Sequence, residues 1–267
     1  MSYANAWLKW FDIIEGGAAP LTERMLALSE LEGGGHVLDI GTGLGEPALS
    51  AAARLNDAGH VLAIDRDPNM ISIARERAKK RGVSNIEFRI ADAETLDLSP
   101  NSLDVVFARW SLMFVSDLAN VLSMMCDALR PGGRLVAVTW ASAELVPALS
   151  LARNTVQKQF GLPTSTQGQP KAFALSDAQA TRRALIQAGY QNVSVEPFSV
   201  VYEFPSPASY IQYRLDVAGP LWDDAGIAAE KAASEARAAI ESAIQPYRVA
   251  NGLYRFENQV HCAVGTV

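Results

Sequence analysis

Cysteine and histidine are scarce in this chain of 267 residues, which contains two cysteines and three histidines. Cys126 and Cys262 lie far apart in the sequence, so a disulfide scaffold and a multi-cysteine zinc site are excluded. Asp104 begins a predicted strand, at the wrong end for a ligand, and Asp117 has no acidic partner. We therefore expect no bound metal and, from the cysteine usage, a cytoplasmic protein.

Long apolar runs and an excess of basic residues are also missing. No segment approaches the roughly 18 uninterrupted apolar residues of a membrane-spanning helix, and the first residues lack the pattern of a secretory signal. Lysine and arginine number 23 against 29 aspartates and glutamates, a formal net charge of −6. Since a phosphate backbone attracts positive surfaces, we expect no nucleic acid partner. We expect a small-molecule substrate and a monomer or homodimer.

Apolar strand-like segments alternate with helix-like segments over residues 36–140. This alternation predicts βαβ units and a doubly wound α/β sheet with a helix layer on each face. Strands are predicted at 36–40, 60–65, 85–90, 103–108, 134–140, 193–204 and 257–267. Helices are predicted at 47–55, from Asp67-Pro68 to Gly82, from Ser116-Asp117 to Arg130, and from Ser176 to Gly189.

Two further helical segments are predicted around this sheet. Residues 1–31 are interpreted as an N-terminal helical lid, in which Trp7, Trp10 and Phe11 have helical spacing. Residues 207–249 are alanine-rich and too long for a hairpin loop, so they are interpreted as a helical cap inserted between the last two strands. The domain that contains the sheet then comprises residues 32–206 and 250–267.

The segment VLDIGTGLGEPAL places a glycine loop between the first strand and the first helix. Asp39 is followed by Gly41, Gly43 and Gly45, and such a loop at the switch point of a parallel sheet binds nucleotides. A dinucleotide loop has its third glycine at the position of Glu46, whose carboxylate would repel a pyrophosphate. An acid two residues before the first glycine suits an ammonium group. The loop therefore favours S-adenosylmethionine, a positively charged adenosine compound without phosphate.

Acidic residues also follow the next two strands. Asp65 lies 24 residues after Gly41 and can accept hydrogen bonds from both ribose hydroxyls, while Asp92 can accept one from an adenine amino group. Alternatively, each of these acids caps a turn. Arg109 follows the fourth strand, where its main-chain carbonyl can face the ammonium group.

Five segments together resemble the class I S-adenosylmethionine-dependent methyltransferases. Within that family the chain looks most like the ubiquinone/menaquinone C-methyltransferase-like group of small-molecule enzymes. The matching segments are VLDIGTGLGEPAL, AID at 63–65, IADAETL at 90–96, LDVVFARWSLMFV at 103–115 and ALRPGGRLVAVTW at 128–140. The resemblance implies a seven-stranded Rossmann-like sheet with an antiparallel last strand.

The resemblance also implies a set of cofactor-binding residues. Asp39, Gly41, Thr42 and Gly43 would line the methionine part, Asp65 and Arg66 the ribose, Asp92 and Ala93 the adenine, and Arg109 the ammonium. For the acceptor we predict an apolar, aromatic-lined pocket, although each residue on its own can equally be core. The pocket candidates are Trp7, Trp10, Phe11, Trp110, Met113, Phe114 and Tyr210.

No general base can be assigned from the sequence, and the catalytic residues are left unknown. Histidines 36 and 60 lie at strand starts, and His261 lies inside the last strand. Asp12, Glu15 and Asp216 are interpreted as solvated charges, and Tyr210 as an acid or base would rest on its position alone.

We expect a methyltransferase of small-molecule biosynthesis that acts on carbon or oxygen of a small acceptor. A macromolecular acceptor, RNA or protein, is disfavoured by the acidic balance of the chain. Two alternatives to methyl transfer also stay open. One is a cofactor-binding relative without methyl transfer, regulatory or catalysing another reaction. The other is a nicotinamide-dependent oxidoreductase, against which Glu46 counts.

Overall fold

The computed structural model describes residues 2–31, 33–55, 58–162, 171–218 and 230–267, so residues 219–229 of the predicted cap lie outside the described residues. The chain forms two compact units. The first unit comprises Met1–Ala19, Ser142–Pro170 and Ser199–Gln259, and the second unit comprises Pro20–Ala141, Lys171–Phe198 and Val260–Val267. The lid and cap, with the boundaries given above, stay a prediction.

Seven strands of the described residues form one sheet. They are β1 (His36–Ile40), β2 (His60–Asp65), β3 (Ile86–Ile90), β4 (Leu103–Arg109), β5 (Leu129–Trp140), β6 (Gln191–Phe204) and β7 (Tyr254–Thr266). The spatial order is β3-β2-β1-β4-β5-β7-β6. β1 pairs in parallel with both β2 and β4, and β7 is antiparallel to β5. The predicted doubly wound, seven-stranded sheet is confirmed, and its strand order reverses beside β1.

Helices flank or connect these strands. They are α1 (Tyr3–Lys9), α2 (Phe11–Ser29), α3 (Ala48–Arg54), α4 (Pro68–Arg81), α5 (Leu118–Ala128), α6 (Pro147–Gln159), α7 (Ala178–Gln187), α8 (Pro207–Ala218) and α9 (Glu230–Ala243). The ends of α4 follow from local sequence: the Asp67 carboxylate accepts a hydrogen bond from the Asn69 amide at 2.8 Å, and Gly82 ends the helix at a φ of 68°. No described helix is long and apolar enough to cross a membrane.

The fifth strand begins earlier than predicted, and the helix before it is shorter. α5 ends at Ala128 instead of Arg130, because Leu129 already has extended backbone and pairs with Leu103 of β4. The Pro-Gly-Gly segment at 131–133 therefore lies within β5, where the pairing register shifts.

Two other features differ from the sequence prediction. α7 is capped by Asp177 and not by Ser176, since the Asp177 carboxylate accepts hydrogen bonds from the amides of Gln179 and Ala180 at 2.8 and 3.2 Å. α6 was not predicted, and its start at Val146-Pro147 has no side-chain cap that would mark it in the sequence.

Each unit has its own apolar interior. In the second unit, side chains of the parallel strands pack against α5 and α7, and Leu38, Val106, Met125, Leu135 and Leu185 are among the buried residues. In the first unit, aromatic rings pack mostly edge to face, with a few stacked pairs. We call these rings the aromatic cluster: Trp10, Tyr202, Phe204, Tyr210, Tyr213, Tyr247 and Phe256.

Candidate active site

The glycine loop follows β1 in the second unit and has a left-handed backbone. Gly41 has a φ of 69° and Gly43 a φ of 53°, which an L side chain rarely adopts. A Cβ atom on Gly41 would lie 2.5 Å from the Cβ of Ser111, so the loop packs tightly there. A Cβ atom on Gly43 would meet no described heavy atom within 4 Å. The main chain at Gly43 therefore borders open space that a ligand can fill.

Asp65 holds this loop in place. One carboxylate oxygen accepts a hydrogen bond from the Gly43 amide and the other from the Asp67 amide, each at 2.9 Å. Burial has the largest influence on the pKa of Asp65 and raises it. The Asp65 carboxylate therefore caps a turn, which was one of the two interpretations of the sequence. Its oxygens still have lone pairs that can accept hydrogen bonds from a ligand. Its contact with ribose stays a prediction.

Asp39 is a fully buried carboxylate at the start of the loop. Neither of its oxygens, nor the Thr42 hydroxyl, forms a hydrogen bond of standard geometry within the described part of the chain. Burial raises the pKa of Asp39 to about 7, although Thr42, the charge of Arg109 and the Ala48 amide act to lower it. Since a buried charge without a partner is costly, Asp39 fits a ligand cation such as an ammonium group.

Glu46 at the end of the loop is in the opposite situation. Its carboxylate accepts a hydrogen bond from the Ser50 hydroxyl at 2.7 Å and forms ion pairs with Arg81 at 2.6 Å and Arg77 at 3.5 Å. Because two guanidinium groups compensate this charge, its repulsion of a pyrophosphate is weaker than the sequence indicates.

The Arg109 side chain lies at the end of β4, and its charge acts on Asp39. Its guanidinium donates a hydrogen bond to the Thr22 hydroxyl at 3.1 Å and lies 5.1 Å from the centre of the Trp110 ring. Trp110 has a φ of 55° and stacks on Trp140 at 4.6 Å. Such backbone strain outside glycine often marks a functional site. The predicted main-chain contact of Arg109 with the cofactor stays a prediction.

Sequence reasoning missed three residues of this region. Trp140 ends β5 and Ser111 follows the end of β4, so their positions after parallel strands were a usable signal. Thr22 lies in the middle of α2, and nothing in the sequence connects it with Arg109.

The remaining predicted cofactor residues lie after β2 and β3, at the same edge of the sheet as the glycine loop. Arg66 is exposed and Ala93 is half-buried. Asp92 is exposed, and its carboxylate accepts a hydrogen bond from the Glu94 amide at 3.0 Å. Asp92 thus caps a local turn, and its contact with adenine stays a prediction.

The predicted pocket residues are divided between the two units. In the second unit, Trp110 and Met113 are buried, and Phe114 is 38% exposed. In the first unit, Tyr210 and Trp10 are buried, and Trp7 and Phe11 are half-buried. A shared acceptor pocket stays a prediction.

Tyr210 is a core residue in the structure. Its hydroxyl accepts a hydrogen bond from the Ala152 amide at 3.2 Å and donates one to the Pro147 carbonyl at 3.5 Å. Burial raises the pKa of Tyr210 above its ordinary value. Since it stays protonated and has no exposed surface, it is poorly suited to act as a base.

Asp216 corrects the sequence interpretation of a solvated charge. Its carboxylate accepts hydrogen bonds from Lys9 at 2.6 Å, the Trp10 indole at 2.9 Å and Gln212 at 2.8 Å, and its side chain is only 12% exposed. Asp216 thereby ties α1 to α8 within the first unit.

The histidines remain poor candidates for a base. His36 and His60 are exposed at the starts of β1 and β2, and burial lowers the pKa of His261. Among the described residues, no group of three or more histidines, cysteines or acids is placed to hold a metal ion.

Comparisons with known proteins show the family to which the chain belongs. The model of a methyltransferase domain family matches residues 31–184. The chain is 33% identical over 195 residues to the ubiquinone/menaquinone biosynthesis C-methyltransferase UbiE of Ectopseudomonas mendocina (strain ymp), covering 68% of this chain and 76% of that protein. The chain therefore belongs to the class I S-adenosylmethionine-dependent methyltransferases, and S-adenosylmethionine is its cofactor.

Two further proteins show the range of the likeness. The aklanonic acid methyltransferase DauC of Streptomyces sp. (strain C5) is 38% identical over 116 residues, 43% of this chain, and the chain spans about half of that relative, 53%. The structure of Haemonchus contortus phosphoethanolamine N-methyltransferase 2 in complex with S-adenosyl-L-methionine has a TM-score of 0.57 at 19% identity, covering 92% of this chain and 52% of that chain. At that identity the second likeness shows the fold alone.

Proposed function

We propose that this protein transfers a methyl group from S-adenosylmethionine to carbon or oxygen of a small, apolar or aromatic organic acceptor. Two observations carry the proposal. The buried carboxylate of Asp39 has no hydrogen bond of standard geometry among the described residues, and the main chain at Gly43 is open. The names of the relatives, an aklanonic acid methyltransferase and a ubiquinone/menaquinone biosynthesis C-methyltransferase, support a small acceptor.

Each residue of the loop has a task in this proposal. Asp39 and Thr42 hold the amino-acid part of the cofactor, and Gly43 lets that ligand approach the main chain. Asp65 with Arg66 binds the ribose, and Asp92 with Ala93 borders the adenine. Arg109, held by Thr22, keeps positive charge beside Asp39 and so favours its ionised form. The bound cofactor supplies a methyl group on a sulfonium, a leaving group that needs no further activation.

The protein then acts mainly by alignment. Holding acceptor and methyl donor in line can supply about 7–11 kcal/mol of the barrier reduction, and aromatic walls at Trp110 and Phe114 exclude water. No described histidine or tyrosine of the predicted set is well placed as a base, so we propose an acceptor that arrives ionised or already nucleophilic. We also propose that the protein is cytoplasmic, that it is a monomer or homodimer, and that it has no nucleic acid partner.

Calorimetry with S-adenosylhomocysteine tests the cofactor site directly. The wild-type protein is expected to bind it in the micromolar range, and Gly43→Val is expected to abolish binding. Gly132→Val is the matched control, because Gly132 also has a positive φ and no described atom within 4 Å of its Cβ position. Absence of wild-type binding in the micromolar range would reject the proposal.

Two further measurements separate the rival functions. A fluorescence titration with NADH should show no binding, whereas tight binding would favour the oxidoreductase. Incubation with S-adenosylmethionine and a panel of aromatic acceptors should give a methylated product. A protein that binds the cofactor but methylates no acceptor would favour the relative without methyl transfer.

A further inference from the structure

Arg214 is a buried guanidinium in α8 of the first unit. It is only 6% exposed, and its Nε atom has no hydrogen-bond partner among the residues that the structure describes. Across the described ranges of the chain, no carboxylate forms an ion pair with it. The acid nearest in sequence within α8, Asp216, is already occupied by Lys9, Trp10 and Gln212.

The surroundings of Arg214 are aromatic and do not supply a negative charge. Its guanidinium lies 5.7 Å from the centre of the Tyr213 ring. Burial raises the pKa of Tyr213 and of Tyr210, although the charge of Arg214 acts in the opposite direction on both. Both hydroxyls are therefore neutral at physiological pH, and the charge of Arg214 is not balanced by them.

A cation in such a place is costly without a counter-charge. Removing a guanidinium from water carries a desolvation cost that a cation–π contact offsets only in part. Arginine is also the side chain best suited to hold a carboxylate, because its planar donors make two parallel hydrogen bonds. The missing counter-charge is thus best supplied by a bound anion.

We propose that Arg214 binds the carboxylate of an aromatic carboxylic acid, whose ring lies beside the Tyr213 ring that the guanidinium already contacts. The site lies within the first unit and is separate in sequence from the glycine loop.

Matched acids and amides test this site on the full chain. Calorimetry at pH 7.5 and constant ionic strength compares benzoate and 2-naphthoate with benzamide and 2-naphthamide. Wild type is expected to bind at least one acid 10-fold or more tightly than its amide. Arg214→Gln should reduce acid affinity at least 10-fold and leave amide affinity unchanged, and Arg214→Lys should retain part of the acid preference.

Arg255→Gln is the control, since Arg255 is an exposed arginine of the same unit that pairs with Glu203 at 3.3 Å. It should not change the affinity of any probe. Equal binding of acids and amides to wild type, or an acid preference that survives in Arg214→Gln, would overturn the proposal. If Arg214→Gln does not fold, Arg214→Lys provides the test. An acid preference in Arg214→Lys that equals that of wild type would then count against the proposal.

The cofactor titration keeps this inference separate from the proposed function. S-adenosylhomocysteine binding is expected to be unchanged in the Arg214 variants. Should wild type bind S-adenosylhomocysteine but bind acids and amides equally, the Arg214 site fails while the proposed function stands. Should it bind acids but not S-adenosylhomocysteine, the proposed function fails while the anion site stands.

Discussion

The two ends of the glycine loop each carry a buried carboxylate, and the two differ in their partners. Glu46 at the end of the loop is paired with two arginines and with the Ser50 hydroxyl. Asp39 at the start has no hydrogen bond of standard geometry among the described residues. Removing one partner of a paired buried charge destabilises the fold, whereas a buried charge without a partner needs an explanation, which here is a ligand.

The same contrast occurs within α8 of the first unit. Asp216 has three donors and connects α1 with α8, while Arg214 has no carboxylate partner in the described chain. The two residues are close in sequence and both are largely buried, so burial alone does not tell a structural charge from a binding one. Their hydrogen-bond partners do.

The largest effect is expected from a side chain at Gly41, where the loop has no space. Gly41→Ala adds both a positive-φ penalty and a contact of 2.5 Å with Ser111, so S-adenosylhomocysteine binding should be lost in calorimetry. Gly82→Ala is the control, because Gly82 has a φ of 68° and no described atom within 4 Å of its Cβ position. A Gly41 variant that binds as well as the Gly82 variant would contradict the tight packing.

Removing the Glu46 charge should affect stability more than binding. Glu46→Gln leaves Arg77 and Arg81 without their carboxylate, so the free energy of unfolding should fall by about 2 kcal/mol, less than for a fully buried pair because Arg81 is partly exposed. Urea denaturation measures this change, with Glu87→Gln as the control at an exposed pair. A larger loss of cofactor affinity than of stability would mean that Glu46 belongs to the binding site.

Removing the Asp39 charge should affect binding more than stability. Asp39→Asn removes the partner of the ligand ammonium, so the affinity for S-adenosylhomocysteine should fall about 30-fold, equivalent to about 2 kcal/mol. The free energy of unfolding should not decrease, since an unpaired buried charge is also removed. Calorimetry measures the affinity and urea denaturation measures the free energy of unfolding of the same variant. A variant that is less stable but binds normally would contradict the assignment of Asp39 to the binding site.

The smallest expected effect is a pH dependence set by Asp39. Its pKa is raised from 3.8 to about 7, so the ionised form that attracts an ammonium group is gained as the pH rises through 7. S-adenosylhomocysteine affinity should increase about tenfold from pH 6 to pH 8 and then level off. The stability contributed by the neutral carboxyl is present below pH 4 and is lost as the pH rises through 7. In Asp39→Asn, the affinity and the stability should both lose this dependence on pH. A wild-type affinity that does not change between pH 6 and pH 8 would count against the proposal.

The parts of the fold that could be predicted are those with local causes. The cap of α4 at Asp67 and its end at Gly82 depend on neighbouring residues only. The end of α5 could not be predicted, because pairing of Leu129 with Leu103 decides it and the two residues are distant in sequence. The cap of α7 at Asp177 was missed because an aspartate and a serine stand side by side and the sequence favours both.

The sequence by itself determined the sheet, the glycine loop and the cofactor class, because strand period, helix caps and the Asp-Gly spacing are local properties. The tertiary structure alone decided which buried charges are paired: Glu46 with Arg77 and Arg81, Asp216 with Lys9, and Asp39 and Arg214 without such a partner among the described residues. Pairing depends on distances between residues far apart in the chain, and only folding sets those distances.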